Sequence, residues 1–151
     1  MKFLFDSDMV NIMYDDQRKM HHDALHRKIS ELRNKDSLQI SILVLYELEY
    51  SFFNAPNYKK QFIRNTIISA LNDFDAIISL DAETAPIFGE MKAMLKQKKR
   101  LTRKQMRKHN IDIMLASTAI CTSSVLISSD SIYSDISELY PLLRFEKWIK
   151  E

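Results

Sequence analysis

The stretch KFLFDSD (residues 2–8) begins with an apolar run and ends in two carboxylates separated by one serine. Phe3, Leu4 and Phe5 show no polar alternation, which is typical of a short strand buried on both faces of a parallel sheet. Ligands of such sheets bind beyond the carboxyl ends of the strands. A strand that ends at Asp6 therefore predicts a carboxylate at the edge of the sheet where chemistry is expected.

The segments outward from this strand predict an α/β fold, because further short apolar runs alternate with amphipathic segments. The later strands are predicted at LQIS (38–41), AIISL (76–80), SVLISS (124–129) and, as an edge strand, within 143–148. Strands that alternate with helices indicate a parallel sheet with helices on both faces. We therefore expect one domain over residues 1–151, with a central parallel sheet of four to five strands flanked by helices.

Cap and stripe patterns predict details of three helices. Ser41 is expected to cap a helix that runs through 44–53, and Asn110 is expected to cap a helix over 111–122. The segment 58–74 is amphipathic. Its inward side chains are expected to be Phe62, Ile67, Ile68 and Leu71.

The composition is that of an ordinary globular protein, with 46% hydrophobic and 28% charged residues. The single Cys121 excludes a disulfide framework and a cysteine-based zinc site. The single Gly89 excludes a Gly-rich phosphate loop. No apolar run approaches membrane-spanning length, and the first strand is too short and too soon acidic for a signal peptide. We expect a cytoplasmic protein without a membrane partner.

A basic segment stands out within this balanced chain. Nine of the 22 Lys and Arg residues lie between Lys92 and Lys108, with no acidic residue among them. Such a run predicts either a solvated helix end or a surface for a polyanion. As an RNA-binding surface it would use Lys98, Lys99, Arg100, Arg103, Lys104, Arg107 and Lys108.

Acidic residues from separate parts of the chain are predicted to converge. Asp6 and Asp130 each follow a strand, so both are expected at one edge of a parallel sheet. Asp112 lies in the first turn of a helix, where the helix dipole favours a carboxylate. Glu47 lies opposite the apolar stripe of its helix, whereas Glu49 falls nearer that stripe and is the weaker candidate.

Each acid alone is compatible with a solvated surface position, but a cluster of them needs a cation or protons to neutralise it. Oxygen ligands without Cys or His select hard ions, so the cofactor is expected to be Mg²⁺ or Mn²⁺. Such a site binds phosphates and activates water for attack on a phosphodiester.

Four motifs in order carry a family resemblance: FLFDSD (3–8), SILVLYELEYS (41–51), NIDIMLASTAI (110–120) and SVLISSD (124–130). With them the chain resembles the PIN-domain family, in particular the VapC-like toxins of bacterial toxin–antitoxin pairs. The family's acids correspond to Asp6, Glu47, Asp112 and Asp130. Its small polar residues beside the first and last acids correspond to Ser7 and Ser128, and Asp8 adds a further acid.

The resemblance implies a metal-dependent endoribonuclease, frequent homodimers and, in toxin members, inhibition by a cognate antitoxin. Asp6, Glu47 and Asp112 would hold one or two Mg²⁺ or Mn²⁺ ions, and Asp130 would complete the site directly or through water. Ser7, Asp8 and Ser128 would contact these ligands and orient them without binding the ion themselves. The basic segment would hold the RNA backbone.

Two alternatives remain open at this point. Asp6-Ser7-Asp8 also resembles the paired aspartates of haloacid-dehalogenase-type phosphatases, with Asp130 and Asp135 as a loose match to their late acids. The other alternative is a PIN-like RNA-binding module that has lost catalysis. Tyr46 and Tyr50, beside Glu47, are equally compatible with a place in the cleft and with core packing.

Overall fold

The computed structural model describes residues 1–150, and within them five strands and eight helices follow the predicted alternation. The strands are β1 (Lys2–Phe5), β2 (Ser37–Ser41), β3 (Ala76–Ile78), β4 (Val125–Ile127) and β5 (Arg144–Glu146). The helices are α1 (Ser7–Met13), α2 (Lys19–Ser30), α3 (Ile42–Asn54), α4 (Asn57–Asp73), α5 (Thr84–Lys99), α6 (Arg103–Arg107), α7 (Asn110–Cys121) and α8 (Ile132–Leu139). No helix among these residues has the length and apolar character needed to span a bilayer.

The five strands form one sheet in the order β3-β2-β1-β4-β5, and every neighbouring pair is parallel. This confirms the α/β fold with a parallel sheet flanked by helices. The chain passes from β1 to β2 on one side and later reaches β4 on the other side of β1. A crevice forms at the carboxyl ends of strands where the order switches in this way. Asp6 and residues 128–130 directly follow the two strands that border the switch point.

The central position of β1 explains its unbroken apolar run. Leu4 and Phe5 are fully buried, and the Phe5 ring lies with its centroid 5.6 Å from those of both Phe74 and Trp148. Trp148 also packs on Phe3, with 5.1 Å between the ring centroids. The segment after β5 is therefore held against the middle of the sheet.

The predicted caps are right at one helix and wrong at another. Ser41 caps α3, and its Oγ accepts a hydrogen bond of 3.1 Å from the backbone N–H of Leu43. Asn110 does not cap α7, because the helix begins one residue earlier than expected and His109 takes the cap position without a side-chain bond. The basic segment contains the end of α5 and also α6, which begins with a capping box formed by Thr102 and Gln105.

The predicted inward face of α4 is wrong for three of its four residues. Phe62, Ile68 and Leu71 are 51%, 50% and 48% exposed, whereas Ile67 is buried as expected. The buried residues of the helix are Thr66, Ile67 and Ala70. These follow the three- and four-residue spacing of one helix face, but two of them are small or polar. The largest apolar side chains therefore mark the wrong face.

Candidate active site

Five carboxylates line one solvent-open cavity of about 610 Å³ at the carboxyl edge of the sheet. They belong to Asp6, Asp8, Glu47, Asp112 and Asp130. Asp6 follows β1, Asp8 lies in α1, Glu47 in α3 and Asp112 in α7, and Asp130 follows β4. The fold thus brings together acidic side chains that lie up to 124 positions apart in the sequence.

Asp6 is the most buried of these acids, with 8% of its surface exposed. It caps α1, and its Oδ1 accepts a 2.9 Å hydrogen bond from the backbone N–H of Met9. Its Oδ2 accepts a hydrogen bond from the Ser128 hydroxyl. Burial raises the pKa of Asp6 from 3.8 to about 6 despite these two donors, and the neighbouring Asp8 and Asp130 charges raise the pKa further. The acid is therefore costly to ionise until a cation compensates it.

Asp112 reaches the cavity because its helix lies close to the sheet. Ala116 and Ala119, one and two turns further along α7, are fully buried. Burial raises the pKa of Asp112, and the Asp130 charge raises it as well, while His109, with its Nδ1 3.5 Å from Asp112 Oδ2, opposes the rise. The two acids therefore share one electrostatic environment.

Asp130 is fixed by the turn that follows β4. Its Oδ1 accepts a 3.0 Å hydrogen bond from the backbone N–H of Ile132, and its own N–H donates to Ser128 Oγ at 3.0 Å. Since Ser128 also donates to Asp6, this one serine links the acids that follow β1 and β4.

Glu47 and Glu49 lie on the same helix but have different contacts. Ser7 Oγ donates to Glu47 Oε1 at 3.2 Å, and burial together with the Asp112 charge raises the pKa of Glu47. Glu49 instead accepts two hydrogen bonds of 2.8 and 3.0 Å from the guanidinium of Arg64. Glu49 thus forms a structural ion pair with α4, and Glu47 is the acid of α3 that lines the cavity.

Two titratable residues of the cavity, Tyr133 and Lys147, were not anticipated from the sequence. The hydroxyl of Tyr133 lies 3.5 Å from Asp112 Oδ1, and the side chain is buried. Burial and four surrounding carboxylates raise the pKa of Tyr133 well above its usual value, so the hydroxyl remains a neutral donor. Its place in the first turn of the helix after a strand-end acid is the one sequence feature that pointed to it. Lys147, just after the edge strand, lies in no recognisable pattern.

A model of the PIN domain family matches residues 11–139. The chain belongs to the PIN domain family. The comparison with curated proteins gave no significant match.

Several solved structures share this architecture over nearly the whole chain. VapBC2 from Rickettsia felis, bound to a DNA fragment from its promoter, is 22% identical with a TM-score of 0.77, covering 99% of this chain and 100% of that one. VapBC-1 from nontypeable Haemophilus influenzae is 19% identical with a TM-score of 0.75 and the same coverage. VapBC-5 from Mycobacterium tuberculosis, a member of the VapBC family of toxin-antitoxin systems, is 16% identical with a TM-score of 0.62, covering 97% and 96%. At these identities the likeness shows the fold alone.

The basic segment of this PIN domain meets the cavity at one end only. Lys108 lines the cavity, together with Lys147. Lys98 and Lys99 instead pair with α8, at 3.8 Å from Glu138 and 2.6 Å from Asp135. The other four predicted RNA contacts, Arg100, Arg103, Lys104 and Arg107, are exposed but do not line the cavity. Asp135 is thus engaged by Lys99 outside the cavity, which gives no support to the phosphatase alternative.

The donor set of the cavity fits a hard divalent cation. Its acids supply only oxygen atoms, and burial and neighbouring negative charges raise the pKa values of Asp6, Glu47 and Asp112, as expected where a cation is to be bound. Among residues 1–150, however, no three His, Cys, Asp or Glu side chains stand close enough to hold one ion as they are. The carboxylates would therefore have to come closer together when an ion binds.

Proposed function

We propose that this PIN domain is a Mg²⁺- or Mn²⁺-dependent endoribonuclease that hydrolyses RNA phosphodiester bonds. The observation that carries the proposal is the convergence of Asp6, Glu47, Asp112 and Asp130 on one cavity. A fold places acids from four distant segments together at a cost in repulsion, and a functional cation is the simplest reason for it.

The chain's own residues divide the work as follows. Asp6, Glu47 and Asp112 would hold the ion, and Asp130 would complete the site directly or through water. When bound, the ion supplies Lewis-acid activation of the phosphodiester and of a water molecule. Ser128 fixes Asp6, and Ser7 fixes Glu47, so that both carboxylates keep their direction.

Among the described residues, Lys108 and Lys147 are the positively charged side chains that line the same cavity. Their ammonium groups would attract the phosphates of the RNA strand, and the remainder of the basic segment would extend this attraction along the surface. Binding should therefore weaken steeply as the salt concentration rises. Asp8, exposed and 3.3 Å from Arg18 Nη1, would act at the rim of the cavity and not as a ligand.

We also propose that the protein is the toxin of a toxin–antitoxin pair, that a cognate antitoxin protein inhibits it, and that it forms a homodimer. This is supported by the PIN family membership and by the fold shared with chains of VapBC complexes. The proposal predicts that expression of the chain alone slows growth.

A second candidate function is an RNA-binding PIN module without catalysis. It is favoured by the absence, among the described residues, of three acids already close enough to hold an ion. The two candidates differ in one measurable property, because a module without catalysis has no need to bind Mn²⁺ or to cleave RNA.

The proposal is tested by incubating the purified chain with RNA and Mn²⁺ or Mg²⁺. We expect cleavage that stops in excess chelator. Asp6→Asn and Asp112→Asn should each lower the cleavage rate by more than roughly 100-fold, since even losing a ligand's hydrogen-bond partner costs roughly 10- to 100-fold. Glu49→Gln, which changes an acid of the same helix as Glu47 but outside the cavity, is the control and should cleave normally. Full activity in either aspartate variant would end the proposal.

A further inference from the structure

A second groove adjoins the carboxylate cavity. It has a volume of about 330 Å³ and is lined by Leu43, Tyr46, Glu47, Tyr50, Ser51 and Ile111. Glu47 and Ile111 line both spaces, so the groove begins where the carboxylate cavity ends. A strand held at the carboxylates would therefore pass directly into the groove.

The two tyrosines of the groove are exposed and do not belong to the core. Tyr46 is 66% exposed and Tyr50 is 69% exposed. They lie four residues apart on α3 and so occupy the same helix face, one turn from each other. Glu47 and Ser51, each the next residue along, share the groove with them, which places this face beside the carboxylate cavity and not against the sheet.

The lining chemistry of the groove differs from that of the cavity. It contributes two tyrosine rings, two aliphatic side chains, one serine and a shared carboxylate, whereas the lysines that suit phosphate lie in the cavity. Flat exposed rings are the usual platform for nucleobases, because every base has a π-face that stacks on them. The arrangement thus offers phosphate attraction on one side of Glu47 and base stacking on the other.

We infer that the Tyr46–Tyr50 groove is a stacking subsite for an unpaired nucleobase adjacent to the phosphodiester held at the carboxylates. The inference rests on the proposed ribonuclease function and specifies its substrate. A base inside a duplex is stacked between its neighbours and does not reach such a groove, so the substrate is single-stranded RNA or a loop. Stacking is tolerant of base identity, so the subsite selects strandedness more than sequence.

The test measures binding of fluorescently labelled RNA by anisotropy in excess chelator, so that no cleavage consumes the probe. The probes are an unstructured oligonucleotide and a blunt duplex of the same length. Tyr46→Ala and Tyr50→Ala should each weaken binding of the unstructured RNA by roughly 5- to 100-fold and leave duplex binding unchanged. Tyr46→Phe and Tyr50→Phe keep the ring and should bind like the wild type.

Tyr58→Ala is the matched control, because Tyr58 is 81% exposed on α4 and lies outside both spaces. Wild-type affinity of both alanine variants for the unstructured RNA would overturn the inference. It would also be overturned if the alanine variants changed the sedimentation behaviour of the protein but not its RNA affinity, since the groove would then be a protein interface.

The outcome is separable from that of the proposed function. RNA cleavage that does not depend on the two tyrosines leaves the ribonuclease proposal intact and rejects the subsite. If binding of unstructured RNA depends on the tyrosines but no metal-dependent cleavage is seen, the subsite is supported and the ribonuclease proposal is rejected. The chain would then be a binding module.

Discussion

Asp6 is placed where the proposed metal site needs a ligand, but its burial is unfavourable for the folded state. Its carboxyl is almost completely buried, and the pKa of about 6 reflects the cost of placing a negative charge there. A buried hydrophobic residue would avoid this cost, and Ser128 and Met9 offset only part of it. We therefore expect the metal-free protein to be destabilised by this side chain whenever it is ionised.

The effect of Asp6 on stability depends on pH. Because the folded-state pKa of Asp6 lies above the unfolded value of 3.8, the folded state binds the proton more tightly. The contribution of Asp6 to stability is therefore greatest below pH 4 and is lost as the pH rises through 6. The difference of about two pKa units corresponds to roughly 3 kcal/mol.

Asp6→Asn removes this titration. The free energies of unfolding of the variant and the wild type are measured by urea unfolding with chelator at pH 3.5 and pH 8. Between these two pH values, the stability of the variant relative to the wild type should rise by up to roughly 3 kcal/mol. Glu49→Gln, at an exposed ion pair, controls for a general effect of removing an acid. An equal difference between Asp6→Asn and the wild type at both pH values would show that Asp6 is not strained by its burial.

At the scale of elements, α5 ends in a conformation that its sequence does not favour. Arg100 follows the helix with φ = 51°, in the left-handed region, and its N–H bonds to Lys96 O, as does that of Leu101 at 3.2 Å. Glycine is the usual residue at this position because a side chain there meets the following carbonyl. The connection between α5 and α6 therefore stores local strain.

Two substitutions of Arg100 separate the backbone strain from the loss of charge. Arg100→Gly relieves the left-handed strain, whereas Arg100→Ala removes the same charge and keeps a β-carbon in the same place. We expect the glycine variant to be more stable than the alanine variant by about 1 kcal/mol, measured by urea unfolding. A glycine variant less stable than the alanine variant would mean that the turn relaxes at no cost.

Elements also mark the limit of what the sequence could predict. Strand positions and the cap at Ser41 follow from local patterns, and the structure has them within a few residues. The buried face of α4 does not follow from its local pattern, because the position of α3 decides which side of α4 is covered. Thr66 and Ala70 are therefore buried although neither is a large apolar residue. The hydrophobicity of a segment does not indicate which distant part of the chain will pack against it.

The composition of the candidate site also depends on how distant segments of the chain pack together. The acids could be named from strand ends and motifs, since a parallel sheet brings its strand ends together. Tyr133 and Lys147 were not named from the sequence, because their place in the cavity depends on how α8 and the segment around Trp148 pack on the sheet. The basic segment shows the converse, since a charge pattern does not reveal that Lys98 and Lys99 pair with α8.

The most direct measurement follows Mn²⁺ binding and RNA cleavage in the same samples, with bound Mn²⁺ read by electron paramagnetic resonance. We predict that the cleavage rate of the wild type rises in proportion to bound Mn²⁺ and falls to background in chelator. A cleavage rate that is unchanged in chelator, or a wild-type protein that binds no Mn²⁺, would contradict it.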